Sequence, residues 1–236
     1  MTEAARRFWK QASVADDGAG VMLDERRLRT PRGAVFAAPS STLAEGIAAE
    51  WNAQGDQIIP SSMPLSQLAF AAIDHTPTRR DELADYVAKF GETDLVCHRA
   101  ASPPALVARQ SMLWNPLVAW SAHDLGVILP VMTGVLPATH DPESLETLRA
   151  HAAACDDFQL TALAQAAGAA GSAVIALAML HGRLSGQAAY AAAALDDLYS
   201  LETWGEDAEA RARLDRLRAE FENVAQFLAL LMDRRP

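Results

Sequence analysis

Hydrophobic positions along the chain follow two different periods. Up to residue 38, short apolar runs alternate with turn signals. Val21-Met22-Leu23 precedes Asp24-Glu25, Arg27-Leu28-Arg29 alternates polar and apolar, Pro31-Arg32-Gly33 interrupts, and Val35-Phe36-Ala37 resumes. Asp16-Asp17-Gly18 is a further turn signal. Runs this short, separated by residues that tolerate tight turns, predict an antiparallel meander. Ile58-Ile59 is expected to add one more short strand.

From Thr42 onward the period is helical. Thr42 with Glu45 reads as a capping box, the hydroxyl accepting from the first turn while the carboxylate reaches back. Leu43, Ile47 and Trp51 then form one stripe, with Gly55 as terminator, so Trp51 reads as a core residue rather than a contact. Pro64 opens a second helix carrying Leu65, Leu68, Ala69, Ala72 and Ile73. Thr78 with Asp81 is expected to cap a third, which carries Leu83, Val87 and Phe90 and ends at Gly91. Pro103-Pro104 begins a helix to Trp114, Asn115-Pro116 kinks or breaks it, and Leu117 to Leu125 continues. Val127 to Val131 reads as an extended connector and Pro142 to Ala154 as another helix. In the last helix Leu214, Leu217, Phe221, Val224, Leu228 and Leu231 make a stripe too short for a free-standing coiled coil, so it packs on its own bundle. Asp207 with Arg211 and Glu209 with Arg213 are expected to pair one turn apart on its other faces.

The fold class is therefore α+β. A small antiparallel β-containing domain with one helix, residues 1–62, precedes an α-helical bundle, residues 63–236. From Phe158 to Leu180 no Asp, Glu, Lys or Arg occurs, a length that could cross a bilayer. The segment is rich in Ala and includes Gln159, Thr161 and Gln165, so its drive to insert is weak. Gly168 to Ser172 predicts instead a break between two helices buried in a globular core.

Charge narrows the partners. The net charge is −10 and uneven: 7 basic against 8 acidic residues in 1–60, 5 against 7 in 61–140, and 8 against 15 in 141–236. Nucleic acid and anionic lipid both require a basic face, which the acidic C-terminal part opposes. Cys97 and Cys155 are too few for a disulfide framework and read as free thiols in a reducing compartment. The opening MTEAARRFWK lacks the apolar run of a signal peptide. A cytoplasmic location follows, or the mitochondrial matrix if the chain is a matured eukaryotic protein.

Motifs for cofactor chemistry are missing. No Gly-rich loop precedes Lys10 or Lys89, and no G-x-G-x-x-G follows a strand, so no nucleotide is expected. The six histidines are scattered, with no H-E-x-x-H and no C-x-x-C. Cys97-His98 reads as a buried thiol beside a hydrogen-bonded imidazole, and His123-Asp124 as polar residues near a helix end. No cofactor or metal is expected.

The stretch LDDLYSLETWGED, residues 195–207, stands out by its carboxylates and its tryptophan. Placed on a helix, Leu195, Leu198 and Leu201 form a packing stripe, while Asp196, Ser200 and Thr203 cluster opposite with Asp197 and Trp204 near them. Glu202 falls toward the apolar side, where an acid must be paired or escape to water at the helix end. Asp196 and Glu202 point in divergent directions, about 120° apart, so they do not flank one bond as a catalytic pair. An acidic face beside an aromatic suits gripping a partner's Arg or backbone. A solvated helix end is the plain alternative.

Taken together, several motifs resemble those of a known family. They are Arg7-Phe8-Trp9-Lys10, Ala49-Glu50-Trp51 with Gln54 and Gly55, Met63-Pro64-Leu65 leading to Ala72-Ile73-Asp74, and Thr93 to Arg99. Leu106-Val107 with Gln110, Trp114 to Leu117, Trp120, and Leu195 to Glu206 complete the set. In this order and spacing the chain resembles the Atp-twelve family, assembly chaperones for the catalytic head of F-type ATP synthase. The resemblance implies a chaperone that binds the free alpha subunit and shields its beta-facing surface, with no catalytic step and no nucleotide. It places the family's functional acidic position on Asp196, where Asp stands for an expected Glu, and Ser200 stands where a Gln is common. The expected partner-binding residues are Asp196, Asp197, Ser200, Glu202 and Trp204. Two other readings stay open: a hydrolase using Asp196 or Glu202 with a histidine, which needs a deep pocket joining them, and a scaffold for another complex.

Overall fold

The structure, a computed structural model, describes residues 6–134 and 141–232. The first five residues of the opening stretch and His140 lie outside them. The chain divides into two compact units: residues up to Arg79 joined by those from Gln226 on, and Arg80–Ala225. The boundary expected from sequence, at 62/63, lies upstream of this division. The helix that begins at Pro64 is tied to the first unit through its cap, which Glu50 supplies.

The first unit begins with the anticipated meander. Strands β1 (Ala12–Val14), β2 (Val21–Leu23) and β3 (Arg26–Arg27) pair antiparallel in that order. Ser13 lies opposite Met22 and Leu23 opposite Arg26. Ala12, Val21 and Leu23 point inward. Asp24, in the β2–β3 turn, takes a left-handed φ of 51°, which a short polar side chain tolerates. Its carboxylate accepts from the backbone N–H of Lys10 and Gln11, which holds it below the usual carboxylate range.

Helix α1 (Ser41–Asn52) buries Leu43, Ile47 and Trp51, the predicted stripe. Helix α2 (Pro64–Asp74) follows it. No side chain within α2's own entry caps it. Glu50 of α1 does so from outside, accepting from Leu65 N (2.7 Å), Ser66 N (2.8 Å) and Ser66 Oγ (2.7 Å). Burial nonetheless pushes its carboxyl above the usual range. The Trp51 indole N–H donates to the same Ser66 hydroxyl. Asp74, at the far end of α2, accepts from Thr30 Oγ1 (2.6 Å) and Arg32 N (3.1 Å). Arg7 donates to the carbonyls of Trp9, Asn52 and Lys10.

The second unit is helical. Its elements are α3 (Arg80–Lys89), β4 (His98–Arg99), α4 (Pro104–Asp124), β5 (Met132–Thr133), α5 (Pro142–Ala153), α6 (Asp157–Ala170), α7 (Ala173–Leu180), α8 (Gly186–Ala193), α9 (Leu195–Trp204) and α10 (Ala208–Met232). The last turns of α10 belong to the first unit. Strands β4 and β5 form a two-residue parallel pair, His98 with Met132 and Arg99 with Thr133. The uncharged run splits where expected: Gly171 closes α6 with a left-handed φ of 62°, and Ser172 caps α7. No helix among the described residues is long and apolar enough to cross a membrane. Every residue of α7 is buried. At Gly186 a Cβ would stand 2.8 Å from the Phe221 carbonyl, so α8 meets α10 backbone to backbone.

Four local expectations are corrected. Ser40, not Thr42, caps α1 by accepting from Leu43 N; the Thr42 hydroxyl donates to the Leu230 carbonyl instead. Thr78 does not cap α3, because its hydroxyl is turned back to the His75 carbonyl. Ile58-Ile59 forms no strand and leads into a 3-10 turn at Pro60–Ser62. On α10, Asp207 caps the helix through Ala210 N, so Arg211 pairs with Glu206, and Arg213 turns to Asp197 (2.7 Å). At Pro116 α4 continues unbroken.

Asp94 is the buried polar centre of the second unit. Its carboxylate accepts from Val96 N, Ser172 Oγ (2.6 Å) and Val174 N (3.1 Å), so it caps both the 3-10 turn Leu95–Cys97 and the start of α7. Burial raises its pKa from 3.8 to about 6 against these bonds. The folded chain therefore binds this proton more tightly than the unfolded chain. Stability contributed by the neutral form is fully present below pH 3.8 and is lost as pH rises to about 6. At ~1.4 kcal/mol per pKa unit the change is on the order of 3 kcal/mol. Asp94→Asn abolishes the titration and turns an amide donor toward backbone donors. Chemical denaturation from pH 4 to 7 should show the wild-type advantage over Asp94→Asn shrinking as pH rises. A pH-independent difference would show that Asp94 keeps an ordinary pKa.

Candidate functional site

Helix α9 carries the sequence-predicted site. Ala194 precedes it without a side-chain cap, and Asp196 and Asp197 fill its first turn, where carboxylates complement the positive end of the helix dipole. Leu195 and Leu201 are buried and Leu198 is half-buried, as the packing stripe requires.

The five candidate residues are held in different ways. Asp196 is exposed and its Oδ1 accepts from Gln110 Nε2 at 2.8 Å. Gln110 is itself buried on α4, and its Oε1 accepts from Ala100 N at 2.8 Å. This amide fixes one carboxylate oxygen and leaves the other edge of Asp196 toward solvent. Ser200, one turn on, donates to the Asp196 carbonyl. Asp197 leans the other way and pairs with Arg213 of α10 at 2.7 Å. Glu202 meets Arg109 of α4 at 2.6 Å, and the Arg109 guanidinium lies 5.2 Å from the Tyr199 ring centroid. Both requirements for an acid on that side are met, since Glu202 is paired and stands near the helix end. Trp204 closes the helix with 86% of its surface exposed.

Asp196 and Ser200 thus share one face, while Asp197 and Glu202 are drawn to opposite flanks. Exposed ion pairs such as these contribute at most about 1 kcal/mol, so they set orientation more than stability. Asp196 and Glu202 do not converge, as helix geometry implied, and each is held by a separate α4 residue. Sequence reasoning about this stretch missed Gln110, Arg109 and Tyr199 as its partners. Gln110 was visible only as a motif member, because nothing local links it to a residue 86 positions away.

The other chemical candidates are structural. Cys97 and Cys155 are buried free thiols, pushed up by burial to about 12 and about 11. His123 Nδ1 lies 2.7 Å from the Asp124 carboxylate at the exposed end of α4. Trp51 is buried, as expected for a core residue.

Comparisons with known proteins agree with this fold. The sequence pattern of the ATP12 chaperone protein matches residues 6–122. The crystal structure of Atp12 from Paracoccus denitrificans superposes with a TM-score of 0.91 at 38% identity, covering 96% of this chain and 98% of that one. The Atu1473 protein of Agrobacterium tumefaciens does so with a TM-score of 0.86 at 33% identity, covering 94% and 84%. The mitochondrial protein atp12 of Schizosaccharomyces pombe is 27% identical over 216 residues, 85% of this chain and 74% of that protein. This likeness over nearly the whole chain defines its class as that of chaperones. Specifically, the chain belongs to the ATP12 chaperone family.

Trp204 gives this surface an optical handle. Trp9, Trp51, Trp114 and Trp120 are all buried. Acrylamide should therefore quench one accessible component of the emission, and Trp204→Phe should remove that component while leaving the melting temperature unchanged. Quenching that persists in Trp204→Phe would mean another indole is exposed.

Proposed function

We propose that this chain binds the free alpha subunit of F-type ATP synthase and shields its beta-facing surface until the catalytic head assembles. The observation that carries the reading is family membership along nearly the whole chain, with 96% of it aligned to Atp12 of Paracoccus denitrificans. A subunit surface destined for an interface is apolar and prone to aggregate while unpaired. Masking it requires adhesion and release, without bond-making and without a nucleotide.

Helix α9 supplies chemistry suited to that work. Asp196 offers a carboxylate already oriented by Gln110, so less side-chain freedom is lost when it meets a partner's guanidinium or ammonium. Ser200 adds a hydroxyl oxygen on the same face, and Trp204 adds a large exposed ring. Asp197 and Glu202 contribute chiefly by fixing α9 through Arg213 and Arg109. The shorter Asp at position 196 is compatible with this geometry, because the Gln110 bond already sets the direction of the carboxylate.

Suppression of alpha-subunit aggregation, followed by light scattering, tests the reading. Wild type should suppress it, and rising salt should weaken the binding because charge complementarity sets the register. Asp196→Lys should bind about tenfold more weakly, the effect of ~1.4 kcal/mol. Its circular dichroism should be unchanged, since the residue is exposed. Wild type that leaves aggregation untouched would overturn the function, and an unaffected Asp196→Lys would remove Asp196 from the site.

A further inference from the structure

Helix α4 has an unusual outer face. Its inner face buries Gln110, Trp114, Leu117 and Trp120. A helix at a protein surface ordinarily turns charged residues to water. The outward side of α4 instead carries Ala105, Ala108, Met112, Leu113, Pro116 and Ala119, all exposed, with the uncharged Asn115 beside them. Met112 is 73% and Leu113 43% exposed. Arg109 is the one charged residue among them, and its charge is taken up by Glu202 and the Tyr199 ring. No further Asp, Glu, Lys or Arg occurs until Asp124.

The strip adjoins the candidate site: Arg109, at its edge, pairs with Glu202 of α9, and Gln110, on the inner face of α4, holds Asp196. At 1.5 Å per residue the strip from Ala105 to Ala119 is about 20 Å long.

We propose that the outer face of α4, centred on Met112 and Leu113 and edged by Asp196, is the docking surface for an apolar protein surface that presents a basic side chain. This deepens the proposed function and rests on it: the occupant is the interface the chaperone shields. Charge complementarity selects this occupant over a second copy of the chain. Two copies meeting through α4 would bring together molecules that each carry a net charge of −10. A heterologous partner with an Arg or Lys beside an apolar patch meets the apolar strip and the free edge of Asp196 together.

The test measures capture of purified alpha subunit by immobilised full-length protein. The double variant Met112→Glu/Leu113→Glu should bind about tenfold or more weakly, as expected for central apolar anchors. The loss should persist at high salt. Ile59→Glu, which alters an exposed apolar residue of the first unit, should bind as wild type does. Circular dichroism and melting should match wild type for all variants. A double variant that binds like wild type, while wild type itself captures the subunit, overturns the α4 surface and leaves the proposed function standing. Wild type that captures nothing overturns both. Wild-type dimerisation in sedimentation, abolished by the double variant, would assign the face to a second copy and overturn the proposal.

Discussion

A single buried carboxylate organises the helical unit. Asp94 caps the 3-10 turn at Leu95–Cys97 and the first turn of α7, and it takes the Ser172 hydroxyl as well. An ionised carboxylate in this setting is costly unless it is well hydrogen-bonded, and these donors are what keep the group acceptable there. With the turn fixed, the residues after it are placed against α4. Arg99 donates to the Val96 carbonyl and lies over Trp114 of α4. Ala100 N meets Gln110, Gln110 meets Asp196, and the Trp114 indole donates to the Ala192 carbonyl on α8. The exposed acid of α9 is therefore the outer end of a chain of contacts that starts in the core.

The motifs that carried the family resemblance have the same character. Arg7 ties the N-terminal segment to backbone carbonyls, Glu50 caps a neighbouring helix, and Gln54 bonds Ile59 N and the Ser62 hydroxyl. Asp74 clamps Thr30 and Arg32. These are polar groups that satisfy backbone atoms where regular secondary structure cannot. Losing one leaves orphaned donors or acceptors, which costs more than the bond itself contributes. Within the first unit, these motif residues thus serve mainly to complete backbone hydrogen bonding.

The outer face of α4 and the exposed end of α9 are two kinds of surface, one largely apolar and the other acidic. A purely apolar face would be a liability for a free protein, and the net charge of −10 opposes association of the chain with itself.

The sequence by itself determined the β-meander, the helical stripes, the break at Gly171 and Ser172, and the acidic face of α9. Each depends on a period or a turn preference acting within a few residues. It misplaced the caps at Thr42 and Thr78 and the ion pairs of α10, because those side chains had competing partners: the carbonyls of Leu230 and His75, and the carboxylates of Glu206 and Asp197. Only tertiary structure decided that Gln110 orients Asp196, that Arg109 pairs with Glu202, and that Met112 and Leu113 face water. A helix with apolar residues on every side gives no clue to its outer face until its neighbours have chosen the inner one.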